Sequence, residues 1–303
     1  MLNVLVYTIN PFKFTCGGLV VQYELCRVLE SLGVNIRISA PEKINNSIFC
    51  KYYNNDFDLN NTVVIYGETI EGNPLNAPHV VRFILAPLGI ICKPKNKTWT
   101  PNDLVYYFNS DNIFLNNKTL IGTVYKTLTS IYINPLIKNY NDPSRKGYCH
   151  TFRKKQFHKN LKYAHHPASQ EIKREHNIIQ CINIFNKREI FISYDPLTFL
   201  NVIAAMCGCI SVVIKIDGIN EMEWLKTTAA YNYLKKHNLS KLYGIAYGIS
   251  EIGWAKKTLH LAKQQWNKIN EYMKQTTIIP FLDDIKNLDN IKYLENTVKN
   301  NFD

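Results

Sequence analysis

The chain opens on an apolar run at residues 2–9. Its length and lack of alternation predict a strand buried on both faces, as in a parallel sheet. A loop follows and ends in Cys16-Gly17-Gly18. Over 19–32, Val20, Leu25, Val28, Leu29 and Leu32 recur at helical spacing, and Gly33 stops the helix. Residues 34–39 read as a second strand. Strand, glycine turn, helix and strand make a βαβ opening. Apolar runs at 62–66, 79–85 and 104–108 predict further strands, with Pro and Gly between them. Segment 134–146 is polar and turn-rich, which predicts a linker.

The same grammar restarts beyond the linker. Residues 147–152 read as a strand, followed by the basic turn Arg153-Lys154-Lys155. Short strands are expected at 182–185 and 190–193, a buried helix at 199–206 and a β-branched strand at 210–216. Long helical patterns cover 221–237 and 252–274, with one more helix in the tail, 280–303. The aromatic, glycine-rich stretch 243–248 reads as a packed loop. The expected class is α/β, with two Rossmann-like parallel-sheet domains facing a cleft. The expected boundaries are 1–140, 141–275 and a helical tail, 276–303.

Composition adds limits. The chain has 303 residues, 46% hydrophobic and 20% charged, which excludes a disordered chain or a fibre. Its 8 Cys are scattered without a CxxC pair, which argues against a zinc ribbon or a disulfide scaffold. The start lacks the pattern of a signal peptide, and no run approaches the ~18 apolar residues of a spanning helix. A reduced, cytoplasmic protein is therefore expected, in a host cytoplasm if the source is viral. The Asn-x-Ser/Thr triplets are then chance in an Asn-rich chain. The net charge of +12 attracts nucleotide phosphates, polyanions or anionic membranes. Lys occurs 29 times and Arg 7, a bias that fits AT-rich codons. With so few Arg forks, nucleic acid is not expected as a partner, and the basic surface leaves peripheral membrane association open.

Several constellations carry candidate chemistry. Gly17 and Gly18 lie between a strand end and a helix start, where backbone approaches a ligand closely and N–H groups favour anions. The pattern is not GxGxxG, so the dinucleotide fingerprint is absent. Arg153 and Lys155 follow a strand, at the edge where α/β folds bind ligands. Ser193-Tyr194-Asp195-Pro196-Leu197-Thr198 predicts a capped helix start. Glu68 follows the 62–66 strand and is a candidate general base. Asn73 and Arg82 are candidate acceptor-side contacts. Asp56-Phe57-Asp58 precedes a strand instead of following one, so it reads as a turn rather than a metal motif. His165-His166 reads as a surface or linker feature, and no metal site is expected.

The helix followed by Cys207-Gly208-Cys209-Ile210-Ser211-Val212-Val213 resembles the donor-site segment of GT-B glycosyltransferases, glycosyltransferase family 4 above all. The Gly17-Gly18 loop is similar to that family's N-terminal glycine-rich loop. Arg153 and Lys155 resemble the pair that its members set on the donor diphosphate. The shared order spans roughly 1–270, with the tail as a C-terminal helix crossing back. The chain departs from the family where two Glu eight positions apart are usual: Pro196 and Ala204 stand there, with Asp195 beside the first.

The resemblance implies transfer of a sugar from a nucleotide-diphosphate sugar to a glycan or other hydroxyl acceptor. It implies no cofactor or divalent metal, and retention at the anomeric carbon; inversion would need a base, for which Glu68 is the candidate. Asp195 would contact sugar hydroxyls, with Gly17, Gly18, Arg153, Lys155, Tyr194 and Thr198 on the donor phosphates. The alternative is a catalytically degenerate GT-B protein that binds glycan or acts as a scaffold.

Overall fold

The computed structural model describes residues 3–13, 16–41, 50–86, 88–89, 93, 95–109, 125–152, 158 and 163–288. Two compact units form, one from Met1–Tyr132 with Tyr272–Asp303 and one from Ile133–Glu271.

The first unit begins with strand β1 (Asn3–Tyr7), helix α1 (Gly17–Ser31) and strands β2 (Asn35–Ser39) and β3 (Lys51–Tyr52). Strands β4 (Thr62–Gly67), β5 (His79–Ile84), β6 (Leu104–Tyr107) and β7 (Tyr125–Thr127) follow. They form one sheet in the order β3-β2-β1-β4-β5-β6-β7, every pair parallel. Both faces are buried, which explains the unbroken apolar runs. Val4, Val6, Ile65 and Phe83 share a core with Leu25 and Leu29 of α1. Leu5, Val64 and Tyr66 face the other way, onto Phe57, Ile70 and Ala77. Gly33, at φ +83°, takes the left-handed conformation that ends α1.

The second unit comprises β8 (Tyr148–Thr151), β9 (Gln170–Glu171), α2 (Ile178–Lys187), β10 (Ile190–Ser193), α3 (Leu200–Met206) and β11 (Ile210–Val213). It continues through α4 (Glu221–Lys226), α5 (Tyr231–Lys236), β12 (Ile245–Tyr247), α6 (Ile252–Thr258) and α7 (Ala262–Met273). Its sheet runs β12-β11-β10-β8-β9, again all parallel.

Three local expectations change here. Residues 182–185 lie in α2 instead of a strand. Asn177 and Gln180 form a reciprocal capping box, with Asn177 Oδ1 accepting the Gln180 N–H at 2.9 Å and Gln180 Oε1 accepting the Asn177 N–H at 2.8 Å. The pattern 221–237 is two helices. Thr227 and Thr228 donate their hydroxyls to the carbonyls of Trp224 and Leu225, and such local bonds compete with helix continuation. The expected loop at 243–248 contains β12, a strand too short to show periodicity.

After α7 the chain passes through a wide helical turn, Lys274–Ile278, into α8 (Ile279–Lys286), which belongs to the first unit. This is the returning C-terminal helix that the resemblance implied. Phe281, Leu282 and Ile285 enter the β1–α1 core. Asp284 fastens the helix to the sheet: Tyr106 of β6 donates its hydroxyl at 2.7 Å, and Lys126 of β7 its ammonium at 2.8 Å. Among the described residues, no helix is long and apolar enough to cross a membrane.

Hydrogen bonds to a charged partner contribute about 1.5–3 kcal/mol. Asp284→Ala is expected to lower stability by about 2–3 kcal/mol in urea unfolding, and Tyr106→Phe by about 1.5 kcal/mol.

Candidate functional site

In a parallel sheet all strands end on one edge, and ligands bind outside the carboxyl ends where the strand order reverses. In the first unit the reversal lies between β1 and β4, which end at Tyr7 and Gly67. Glu68 is the next residue. Its side chain is buried, and one carboxylate oxygen accepts the N–H of Leu85, just past β5, at 3.1 Å. Burial pushes its pKa above the ordinary 4.5, against the pull of the N–H groups of Leu85, Glu68 and Ala86. What favours its charged form, among the described residues, is backbone dipole and not a cation.

Helix α1 starts on the same edge. Cys16 occupies its N-cap position without a side-chain bond, and no acidic residue stands in the first turn. Among the described residues, the first N–H groups of this 15-residue helix lack a side-chain cap. Around Gly17 a Cβ would meet nothing within 4 Å, whereas one on Gly18 would come 3.3 Å from Leu85. Gly18 and Glu68 thus both adjoin Leu85. A Cβ on Gly67 would lie 3.0 Å from the Gln22 amide, so α1 packs directly on the β4 end.

The acceptor-side candidates are engaged elsewhere. Arg82 is fully buried in β5. Its Nε donates to Asp103 at 2.6 Å and its Nη2 to the Gly72 carbonyl at 2.7 Å, and the guanidinium lies over the rings of Tyr66 and Trp99. Asn73 closes a turn: its Oδ1 accepts from the Tyr66 hydroxyl and the Ala77 N–H, and its Nδ2 donates to the Ala77 carbonyl. Both side chains bind the 66–103 region together, which corrects their reading as groups presented to an acceptor. Asp56 and Asp58 are likewise local, the first paired with Arg37, the second accepting the N–H of Asn60.

In the second unit the strand order reverses between β8 and β10. Arg153 and Lys155, expected just beyond β8, lie outside the described residues. Beyond β10, Asp195 is buried and organises a turn. Its Oδ1 accepts the Leu197 N–H, and its carbonyl accepts from Ser193 Oγ and the Thr198 N–H. Thr198 Oγ1 accepts the Leu200 N–H at 3.3 Å. α3 begins at Leu200, and Phe199 before it is already helical and makes no side-chain cap bond, so the Thr198 hydroxyl is the side-chain acceptor at this helix start.

Tyr194 is fully buried instead of facing a phosphate. Its hydroxyl accepts the N–H groups of Ala164 and His165, at 2.6 and 3.2 Å, and sits 2.9 Å from His165 Nδ1. With two donors already on the oxygen, the phenol proton points to Nδ1, which sets the His165 tautomer. His165 stacks on His150 of β8, with ring centroids 3.8 Å apart and planes within 10°. Phe152 stacks on Tyr194, and the exposed Tyr163 packs edge-on against Phe152. This ring cluster escaped sequence reading, although Tyr148, His150 and Phe152 share one side of a period-two pattern. Among the described residues, no group of three or more His, Cys, Asp or Glu is placed to hold a metal.

Neither a family model nor a curated protein matches the chain. Among solved structures it is similar to an α-glucosyltransferase in complex with UDP and a 13-mer DNA containing an HMU base. The TM-score is 0.45 and the identity 10%, over 94% of this chain and 98% of that one. The expectation that nucleic acid is no partner is corrected by this finding. That neighbour holds UDP and DNA together.

Removing one member of a buried ion pair costs about 3–5 kcal/mol. Arg82→Ala should therefore lower stability by that amount in urea; an unfolding midpoint like wild type's would contradict the structural role. Burial holds the pKa of both His150 and His165 below the ordinary 6.5, and in His150 the neighbouring His165 adds to it, while Glu171 opposes in both. Folded histidines then bind protons more weakly than unfolded ones, so stability is present above pH 6.5 and falls as pH drops below it. His150→Phe should flatten this slope, as read from unfolding free energy between pH 7.5 and 5.

Proposed function

We propose that the protein is a nucleotide-sugar glycosyltransferase that transfers a sugar to a hydroxyl acceptor without a divalent metal. The observation that carries this reading is Glu68, a buried carboxyl at the β1–β4 reversal with backbone N–H groups and, among the described residues, no cation to favour its charge. Such a group weakens the fold at neutral pH, and arrangements of this kind mark reactive sites. The α1 start beside it, with Gly17 and Gly18 and no side-chain cap among the described residues, suits an anionic donor. Arg153 and Lys155 take the departing diphosphate in this proposal, replacing a metal with fixed positive charge. Asp195 and Thr198 act by holding the turn beyond β10.

In the reaction, the acceptor O–H gives its proton to Glu68 as its oxygen bonds the anomeric carbon. The bond from that carbon to the phosphate oxygen breaks, and its electron pair leaves with the diphosphate. This single displacement inverts configuration. In the retaining course that the resemblance implied, the proton goes to the leaving phosphate and Glu68 is not needed. Ala204, buried in α3, supplies no carboxylate where the family usually has one. That observation favours the second reading, a glycan-binding protein without turnover.

A thermal-shift screen with UDP, GDP, dTDP and their sugars tests donor binding; a ligand at 100 times its Kd stabilises by about 2.7 kcal/mol. Under the proposal, Glu68→Gln lowers kcat/KM on the order of 10²- to 10⁴-fold. The raised pKa means that the folded state holds its proton more tightly than the unfolded one. Stability is therefore lost as pH rises from 4.5 through the raised value, and Glu68→Gln should be at least as stable as wild type at pH 7. Unchanged turnover in this variant, with retained stereochemistry, would remove Glu68 as the base. Binding of a sugar nucleotide without transfer or hydrolysis would favour the second reading.

A further inference from the structure

The charge of the chain is unevenly shared. Ile133–Glu271 contains 21 Lys+Arg against 10 Asp+Glu, a net +11, whereas the first unit contains 15 against 14, a net +1. Codon bias alone gives no reason for such a division.

Part of the excess is gathered on one helical face. Along α6, the turn Leu259–Leu261 and α7, the buried residues are Ala255, Thr258, Ala262, Gln265, Trp266, Ile269 and Met273. They recur every three or four residues straight through the turn, so the buried stripe is continuous and so is the exposed one opposite. The exposed stripe carries Lys256, Lys257, His260, Lys263 and Lys268, with Gln264 and Asn267 interleaved and Glu271 at its end. Lys263 also donates to the Ile137 carbonyl. Lys256, Lys257 and Lys268 make no ion pair with any described residue. From Lys256 to Lys268 the stripe is roughly 18 Å long at 1.5 Å per residue.

We propose that this face binds the phosphate backbone of a nucleic acid. A row of unpaired ammonium groups with amide donors between them meets a regular line of phosphates with charge and hydrogen bonds. A membrane is the other polyanion of this kind, but a helix that lies in a lipid interface also buries large apolar side chains. Among the described residues, none of the exposed large apolar side chains falls within α6, the turn or α7. The inference does not depend on the sugar-transfer reading, because the residues it uses are not in that site.

The test is fluorescence anisotropy of the full chain with a labelled 20-base-pair duplex DNA of mixed sequence, over 50 to 200 mM salt. Three phosphate contacts predict a slope of log affinity against log salt of about −2.7, or roughly a 40-fold loss over that range. The triple variant Lys256→Glu, Lys257→Glu, Lys268→Glu should bind at least tenfold more weakly with a slope shallower by about that amount. Its thermal unfolding should match wild type, since all three residues are exposed. Three outcomes overturn the proposal: no duplex binding by wild type at 50 mM salt, equal binding by the variant, or tighter binding to phosphatidylserine vesicles than to duplex. Nucleotide thermal shifts on the same preparations report the sugar-transfer reading separately. A loss of duplex binding with those shifts intact would locate the effect on this face.

Discussion

Parallel pairing is the constraint on which the rest of the structure depends. In both sheets every described strand runs the same way, so all carboxyl ends meet on one edge and the connections must cross a face. This explains why the strands are apolar on both sides and why polar residues collect just beyond them. Glu68 follows β4 and Asp195 follows β10 because a chain leaving a parallel strand must turn at that edge. The strand order reverses at β1–β4 and at β8–β10, the kind of place where parallel α/β sheets bind ligands.

Two buried charges in the first unit show how similar burial serves different ends. Arg82 lies against Asp103, the Gly72 carbonyl and two aromatic rings, and ties β5 to the segments beside it. Glu68 is nearly as deeply placed but is met by backbone N–H groups. The first arrangement suits a framework. The second leaves a carboxyl with a raised proton affinity at a ligand-binding edge, which is the basis for giving it the proton-accepting role. In the second unit, the Tyr194 hydroxyl and the His150–His165 stack hold residues 164 and 165 against the end of β10 and against β8.

Legibility in the sequence followed the range of the forces. Strands β1, β4, β5 and β11 and helix α1 were readable because contiguous apolar residues or helical spacing report burial directly. Helix α2 was misread as a strand because its apolar residues are close-set; the capping box at Asn177 and Gln180 was the overlooked signal. The break between α4 and α5 turned on two threonine hydroxyls. Strand β12 is a three-residue strand flanked by Gly244 and Gly248, both at positive φ, and no periodicity can show in so short a piece.

The sequence by itself determined the α/β class, the doubled strand–turn–helix grammar and most of the core, since each rests on local hydrophobic pattern. It also placed Glu68 just beyond a strand. Only the tertiary structure decided which polar residues at those edges are held by the framework. Glu68, Asn73, Arg82 and Tyr194 look alike as polar groups near strand ends. Their difference lies in partners: Asp103 for Arg82, Ala164 and His165 for Tyr194 and the Leu85 N–H for Glu68 are brought by folding, whereas Asn73 closes its own local turn on Ala77. A hydrogen bond depends on atoms within about 3 Å of each other. That proximity is set by the packing of distant segments and has no trace in local pattern.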